Sequence, residues 1–375
     1  MKTIATITFH SAYNFGSNLQ AYALQEYVKQ ICPDCDYKII NLRSKKQKEL
    51  YILPFYKKGL KNKIKSLFFL KYKKDLIKRN ELYETFINKY LNLTKEYNSI
   101  DDIKKDEINY DYYISGSDQI WNLNAIDFDW SNFLEFAKKG KKISYAASFG
   151  PSLQNLSDNE KDRIKKDLQE YDYISVREEG SRNNVKNIAN LDSLIHIDPT
   201  MLLTKDEWNK IIPTDRLIES EYILLYTLHN KKETFEIAKK ISKELNIPIV
   251  VPKENLKIHI FYKFKHYYCC GPIEFLNLLR NAKLVLSSSF HGTVFSIIFK
   301  KPFLAINGEK DFRISTLLKT MNLLDRTVNI DNVLEKCKKV YDINFDTTDL
   351  ILENEKRNSE DFFKKALDIK NEEVK

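Results

Sequence analysis

Five short clusters of small, polar and charged residues each follow directly on an apolar stretch, and they hold most of the side chains that could do chemistry. Ile7-Thr-Phe9 leads into His10-Ser-Ala-Tyr-Asn14-Phe-Gly16-Ser17-Asn18, and Tyr112-Tyr-Ile114 leads into Ser115-Gly-Ser117-Asp118-Gln119. Ile174-Ser-Val176 is followed by Arg177-Glu178, Leu194-Ile-His-Ile197 by Asp198-Pro-Thr200, and Leu284-Val-Leu286 by Ser287-Ser-Ser289-Phe-His291-Gly292. Asn14, Gly16, Ser17 and Asn18 open a helix whose free N–H groups and dipole suit an anion, or whose Asn and Ser simply cap it. Ser117, Asp118 and Gln119 offer hydroxyl, carboxylate and amide to sugar hydroxyls, with Asp118 placed to act as a base; the alternative is an Asp cap. Arg177 is an always-charged fork suited to a carboxylate or phosphate, or to a salt bridge with Glu178, Glu179 or another acid. His291 stands between a strand and a helix. A helix N-terminus disfavours a charged imidazole while a bound anion favours it, which is the tension a ligand-activated general acid requires.

Several chemistries find no support. His196, His229, His259 and His266 have no metal-ligand spacing, so no bound metal is expected. The patterns G-x-G-x-x-G, G-x-S-x-G, Walker and kinase are absent. Cys32-Pro-Asp-Cys35 is a lone C-x-x-C without a second pair, and five cysteines suit a reducing cytoplasm better than a disulfide framework.

These clusters have to be positioned by a fold. Short β-branched and aromatic runs alternate with helical patterns, the signature of an α/β architecture with parallel sheets. In such sheets ligands bind beyond the carboxyl ends of the strands, where all five clusters fall. Only nine glycines occur in 375 residues, and Gly16, Gly116 and Gly292 lie inside the clusters. The pattern predicts a Rossmann-like domain over 1–212 with a basic helical insertion near 57–90. A second Rossmann-like domain follows over 213–330, then a helical tail over 331–375. Helices are expected over 61–79 and 80–90 within the insertion, and a strand at 267–269. The N-terminus lacks the features of a signal peptide and no apolar stretch is long enough to span a bilayer, so a cytoplasmic protein is expected.

The clusters resemble, in order, the motifs of the polysaccharide pyruvyl transferases. The matching pieces are Asn14-x-Gly16-x-x-Leu19-Gln20-Ala21-Tyr22-Ala23-Leu24, Gly116-Ser-Asp-Gln-x-Trp121-Asn122 and Ser144-Tyr-Ala-Ala-Ser-Phe-Gly150. Val176-Arg177-Glu178, Asp198-Pro199-Thr200, Ser289-Phe-His291-Gly292-Thr293 and Arg313-Ile314 complete the set. The resemblance implies two Rossmann-like domains facing across a cleft, similar to GT-B glycosyltransferases. It also implies transfer of pyruvate from phosphoenolpyruvate to two hydroxyls of a sugar in a surface polysaccharide or its lipid-linked precursor. Phosphoenolpyruvate is then a co-substrate, and no further cofactor is expected. Donor-binding residues fall on Arg177, His291, Ser289 and Arg313, with His291 and Asp118 catalytic. Asn14, Gly16, Ser17, Asn18, Ser117 and Gln119 form an acceptor or anion-binding loop. Many members carry Arg-Leu-His where this chain has Ser289-Phe290-His291, so another cation must serve; Arg313, Arg326 and Lys301 are the candidates.

The net charge of +9 has one source. Lys57 to Arg79 holds ten basic residues against Asp75 alone, and the rest of the chain balances at 51 of each sign. Leu60, Ile64, Leu67, Phe68, Tyr72 and Leu76 recur at helical spacing within it. Two readings follow: a solvated basic face over a core-packed stripe, or a helix lying on the inner face of an anionic membrane. Nucleic acid is not an expected partner, because the basic and aromatic interleaving is confined to this stretch. Other readings of the whole chain are a GT-B-type glycosyltransferase using a nucleotide sugar and a catalytically silent sugar-binding homologue. Against the first, only Gly271, Gly292 and Gly308 occur after Pro213, too few for a glycine-rich diphosphate loop.

Overall fold

A computed structural model describes residues 1–150, 156–228, 231–252, 262 and 264–369. The chain divides into two compact units, each built on its own parallel sheet. The first comprises Met1–Leu50, Ile87–Leu203 and Leu352–Lys375; the second comprises Tyr51–Phe86 and Thr204–Ile351. The basic segment therefore groups with the second unit, whereas the sequence pattern placed it as an insertion in the first.

The first sheet has seven strands: β1 (Thr3–Ile7), β2 (Asp36–Leu42), β3 (Leu93–Tyr97), β4 (Tyr112–Ser115), β5 (Lys141–Ala147), β6 (Tyr173–Val176) and β7 (Leu194–Ile195). Their order is β3-β2-β1-β4-β5-β6-β7, with every neighbour parallel. β4 is buried at all four positions, as expected of a central strand covered on both faces. One face packs Ala5, Ile7, Ile40 and Tyr113 against Phe136. Nearby, Trp121 stacks on Phe133 at 5.4 Å and packs against Phe149, fixing the stretch that follows Asp118. On Tyr145 of β5 lies Phe363, at 4.5 Å, from the last helix, Asp346–Ala366.

The second sheet holds β8 (Ile223–Tyr226), β9 (Ile249–Val251), β10 (Lys265–His266), β11 (Leu284–Ser287), β12 (Phe303–Ile306) and β13 (Thr327–Val328). Its order is β10-β9-β8-β11-β12-β13, again all parallel. Ile223, Leu225, Leu284, Leu286 and Leu304 meet Phe235, Ala238 and Ile241 of the helix Lys232–Leu245. Elsewhere in this unit Trp208 meets Phe295 edge-on at 5.0 Å.

Two local expectations are corrected. Residues 61–79 do not form one helix: Leu60–Phe69 is helical, Leu70–Tyr72 is a 3-10 turn, and Lys73–Tyr90 continues as a second helix. The strand expected at 267–269 is β10, two residues earlier, because Lys265 and His266 pair with Val250 and Val251. β3, with the sequence LTKEY, lacks an apolar run because it is an edge strand with mostly solvent-facing side chains. His229 and His259 lie outside the described residues.

Candidate active site

In the first unit the parallel strands bring four of the five clusters to one edge. The helix Phe15–Ile31 follows β1 and starts at Asn14, whose Oδ1 accepts from the N–H groups of Gly16 at 3.0 Å and Ser17 at 3.4 Å. This helix end is thus capped from within. The expected anion site at Asn14, Gly16, Ser17 and Asn18 finds those two donors taken, and Asn18 is fully buried, its amide donating to the carbonyl of His10. The Ser17 hydroxyl is directed away from the cap and donates to Asp118 Oδ2 at 2.7 Å.

Asp118 follows β4 through Gly116 and Ser117. Gly116 has φ +128°, and a Cβ there would lie 2.3 Å from the carbonyl oxygen of Tyr145, so the backbone approach tolerates only glycine. Ser117 donates from its hydroxyl to the carbonyl of Ala146 at 2.8 Å, and its N–H donates to Gln20 Oε1 at 3.1 Å. Gln20 in turn donates to Thr8 Oγ1 and the carbonyl of Ser17. Gln119 is set apart, accepting from Asn122 at 2.8 Å.

Arg177, at the end of β6, is 5% exposed and ringed by acids. Its Nη1 lies 3.1 Å from Asp198 Oδ2 and 3.7 Å from Asp118 Oδ1, and its Nε lies 3.5 Å from Glu178 Oε2. Burial alone would lower the guanidinium pKa, but Glu178, Asp118 and Asp198 outweigh it and raise it above its usual value. Asp198 also accepts from the N–H and hydroxyl of Thr200, and Glu178 accepts from the hydroxyls of Ser148 and Ser181. Neither carboxylate was among the expected site residues, although both lie in the clusters. Their signal was a strand end followed by an acid: Asp198 after the strand region, Glu178 directly after Arg177. One cation among three carboxylates leaves the ring with excess negative charge and one atom, Asp118 Oδ1, at the longest contact.

The fifth cluster stands in the second unit. Ser287 ends β11; its hydroxyl donates to the carbonyl of Ser289 and accepts from the Ser289 N–H, both at 3.0 Å. This closes a tight turn into the helix Phe290–Ile298, whose N-cap residue Ser289 makes no side-chain cap. His291 lies in the first turn, 7% exposed, edge-on to Phe290 at 5.3 Å. Gly292 is required by crowding: a Cβ would lie 2.3 Å from Ser287 Oγ and 2.8 Å from Tyr226 Cδ1.

The three candidate replacements for the family arginine separate by position. Arg313 follows β12, on the same sheet edge as Ser287, and pairs with Asp311 at 2.7 Å. Burial alone would raise the Asp311 carboxyl, but the hydrogen bonds from Arg313 outweigh it and hold it below the usual range. Arg326 is buried and paired with Asp325. Lys301 precedes β12 and so lies at the opposite, amino edge, beside a cavity of about 320 Å³ that Arg216 and Lys283 also line. Burial and the nearby cations Lys205, Arg216 and Lys283 lower its pKa.

No group of three or more His, Cys, Asp or Glu is placed to hold a metal among the described residues. Burial, then Cys32, pushes the Cys35 thiol up to about 11, the reverse of an activated thiol.

Comparison with known proteins supplies the context for this geometry. Solved structures with the same fold include Staphylococcus aureus MnaA with UDP, at 12% identity and TM-score 0.58, covering 100% of this chain and 99% of that one. The UDP-N-acetylglucosamine 2-epimerase of Rickettsia bellii matches at 13% and 0.51, covering 99% and 100%. The UDP-GlcNAc 2-epimerase of Neisseria meningitidis, bound to UDP-GlcNAc, matches at 10% and 0.51, covering 97% and 100%. At such identities the likeness establishes the fold, an α/β architecture of the GT-B kind. No curated protein matches the sequence. The polysaccharide pyruvyl transferase family model matches residues 14–309, a span that includes Asp118, Arg177 and His291. This chain belongs to the polysaccharide pyruvyl transferase family.

Proposed function

We propose that this protein transfers pyruvate from phosphoenolpyruvate to two hydroxyls of a sugar in a surface polysaccharide or its lipid-linked precursor, closing a pyruvate ketal. The observation that carries the reading is the family match over 14–309, which spans Asp118, Arg177 and His291, each just after a strand.

Phosphoenolpyruvate carries a carboxylate and a phosphate ester on a carbon–carbon double bond. His291, as imidazolium, gives its proton to the methylene carbon, leaving the adjacent carbon electron-deficient. One sugar hydroxyl attacks that carbon and Asp118 takes its proton. The carbon–oxygen bond to phosphate then breaks, and the second hydroxyl closes the ketal. One proton is consumed at the methyl group and two are released from the hydroxyls, so the departing phosphate and the refilled acid restore the balance.

Asp118 is suited to the base role because Ser17 fixes one oxygen at 2.7 Å and the Arg177 guanidinium lies 3.7 Å from the other. In this reading a donor oxygen replaces that longer contact, and Asp198 and Glu178 keep the guanidinium in place. Ser289 and Arg313 are assigned to the donor, and Ser17, Ser117 and Gln119 to the acceptor.

Calorimetric titration with phosphoenolpyruvate tests the reading, on the wild type, His291→Ala and Arg177→Lys, with UDP-GlcNAc as control ligand. Saturable phosphoenolpyruvate binding, weakened about tenfold or more in each variant, supports it. Heat from UDP-GlcNAc alone would overturn it in favour of a nucleotide-sugar enzyme.

A further inference from the structure

The basic segment has one feature that neither the fold nor the transfer reaction uses: its apolar stripe faces outward. Leu60 is 75% exposed and Leu67 74%, and Ile64, Phe68 and Leu70 are exposed as well. Positions 60, 64, 67 and 68 lie along one side of the helix Leu60–Phe69. A solvated basic face over a core-packed stripe would bury these residues, so that reading does not describe this helix.

The exposed row is held in place by its neighbours. Phe69 and Leu76 are buried with Leu53 and Tyr268, and Tyr72 stacks on Tyr268 at 4.3 Å. Lys73 lies over the rings of Phe55 and Tyr56, 5.7 Å from each. The segment is thus fixed to its unit on one side and presents leucine, isoleucine and phenylalanine on the other. Lys58, Lys63, Lys65, Lys71 and Lys74 are exposed around them.

We infer that the helix Leu60–Phe69 and the lysines flanking it dock this protein on an anionic lipid surface, the apolar row entering the headgroup boundary. Charge complementarity selects the occupant. All of the chain's net charge, +9, resides in residues 57–79, so a second copy of the same face is repelled. A nucleic acid would satisfy the lysines but leave the leucines in water. An anionic bilayer satisfies both. Among the described residues no helix is long and apolar enough to cross a membrane, so this is attachment at the surface. The inference does not depend on the chemistry proposed above.

The test is flotation of the full-length protein with vesicles of phosphatidylcholine alone or with about one-third phosphatidylglycerol. Binding is expected on the anionic vesicles, weakening as salt rises from about 0.1 to about 0.5 M. The variants Leu67→Ser/Phe68→Ser and Lys63→Glu/Lys65→Glu should each lower partitioning about tenfold or more, with unchanged unfolding midpoints because all four side chains are exposed. Absence of flotation would overturn the inference, as would anionic binding that ignores the Leu67/Phe68 substitutions. A wild-type dimer in solution that those substitutions dissolve would overturn it in favour of self-association.

Discussion

The two sheet edges that carry the candidate chemistry are built on opposite plans. At the first, Arg177, Asp118, Asp198 and Glu178 bind one another and six neighbouring hydroxyl or amide groups, all inside the protein. At the second, the first turn of the helix Phe290–Ile298 has no side-chain cap, and its one titratable side chain is His291. The first edge is crowded with charge, one cation among three carboxylates; the second has few charges and is kept tight by serine hydroxyls and a glycine. A buried ionic network makes its members mutually dependent, so chemistry and stability are coupled there. Where hydroxyls and backbone set the shape, a reactive side chain can change with little effect on the fold.

That contrast is open to disproof by substitution, starting where the effect should be largest. Arg177→Ala leaves three buried carboxylates without their cation and should cost about 3–5 kcal/mol in urea unfolding. A loss below about 1 kcal/mol would mean that the ring does not act as a unit. The next effect comes from pH and from a neighbour of the ring. His196 accepts or donates at Ser175 Oγ, 2.7 Å away, and burial lowers its pKa from 6.5 to about 4. The unfolded chain binds the proton more readily, so this contribution is intact above pH 6.5 and is lost as pH falls towards 4, up to about 3 kcal/mol. Asp167, raised to about 6 chiefly by burial, acts in the opposite sense over part of that range. The difference between wild type and His196→Gln across pH 4–7 isolates the histidine.

At the second edge Gly292→Ala forces a methyl group against Ser287 and Tyr226 and should cost about 1–3 kcal/mol, read from the thermal midpoint. The smallest change in stability, under about 1 kcal/mol, is expected for His291→Ala, with pyruvyl transfer falling about 10²- to 10⁴-fold. If that variant unfolded as readily as Arg177→Ala, the contrast between the edges would fail.

Much of this arrangement was legible in residue order. Parallel strands carry their carboxyl ends to one side, so an apolar run followed by a polar cluster is enough to place Asp118, Arg177 and Asp198 on one edge. Which atoms pair was not legible. The pairing of Arg177 with Glu178 was readable as an alternative, but nothing in the spacing says that Ser17 holds Asp118 or that Asp118 and Asp198 also face Arg177, since those clusters are far apart in the chain and meet only through strand order. The cap at Asn14 was readable as an alternative, and local geometry decided it. The two-residue β13 and the polar β3 escaped because edge strands need no apolar run. The stripe at Leu60–Phe68 shows the opposite failure: periodicity finds an apolar face but not what covers it.

The last helix puts a condition on synthesis. The strands of the first sheet are all synthesised by Ile195, yet Tyr145 acquires Phe363 and the hydroxyl of Ser359 only after more than 160 further residues are made. Lys2, made before any of the strands, bonds the carbonyls of Leu367 and Asp368, and Asp368 also takes Lys141 and Tyr112. The first unit is thus the one that must wait for Leu352 onward, and during that interval the nascent second unit can complete its own sheet first. Early termination after residue 351 would therefore damage the N-terminal half, a pattern that ordinary domain-by-domain emergence does not produce.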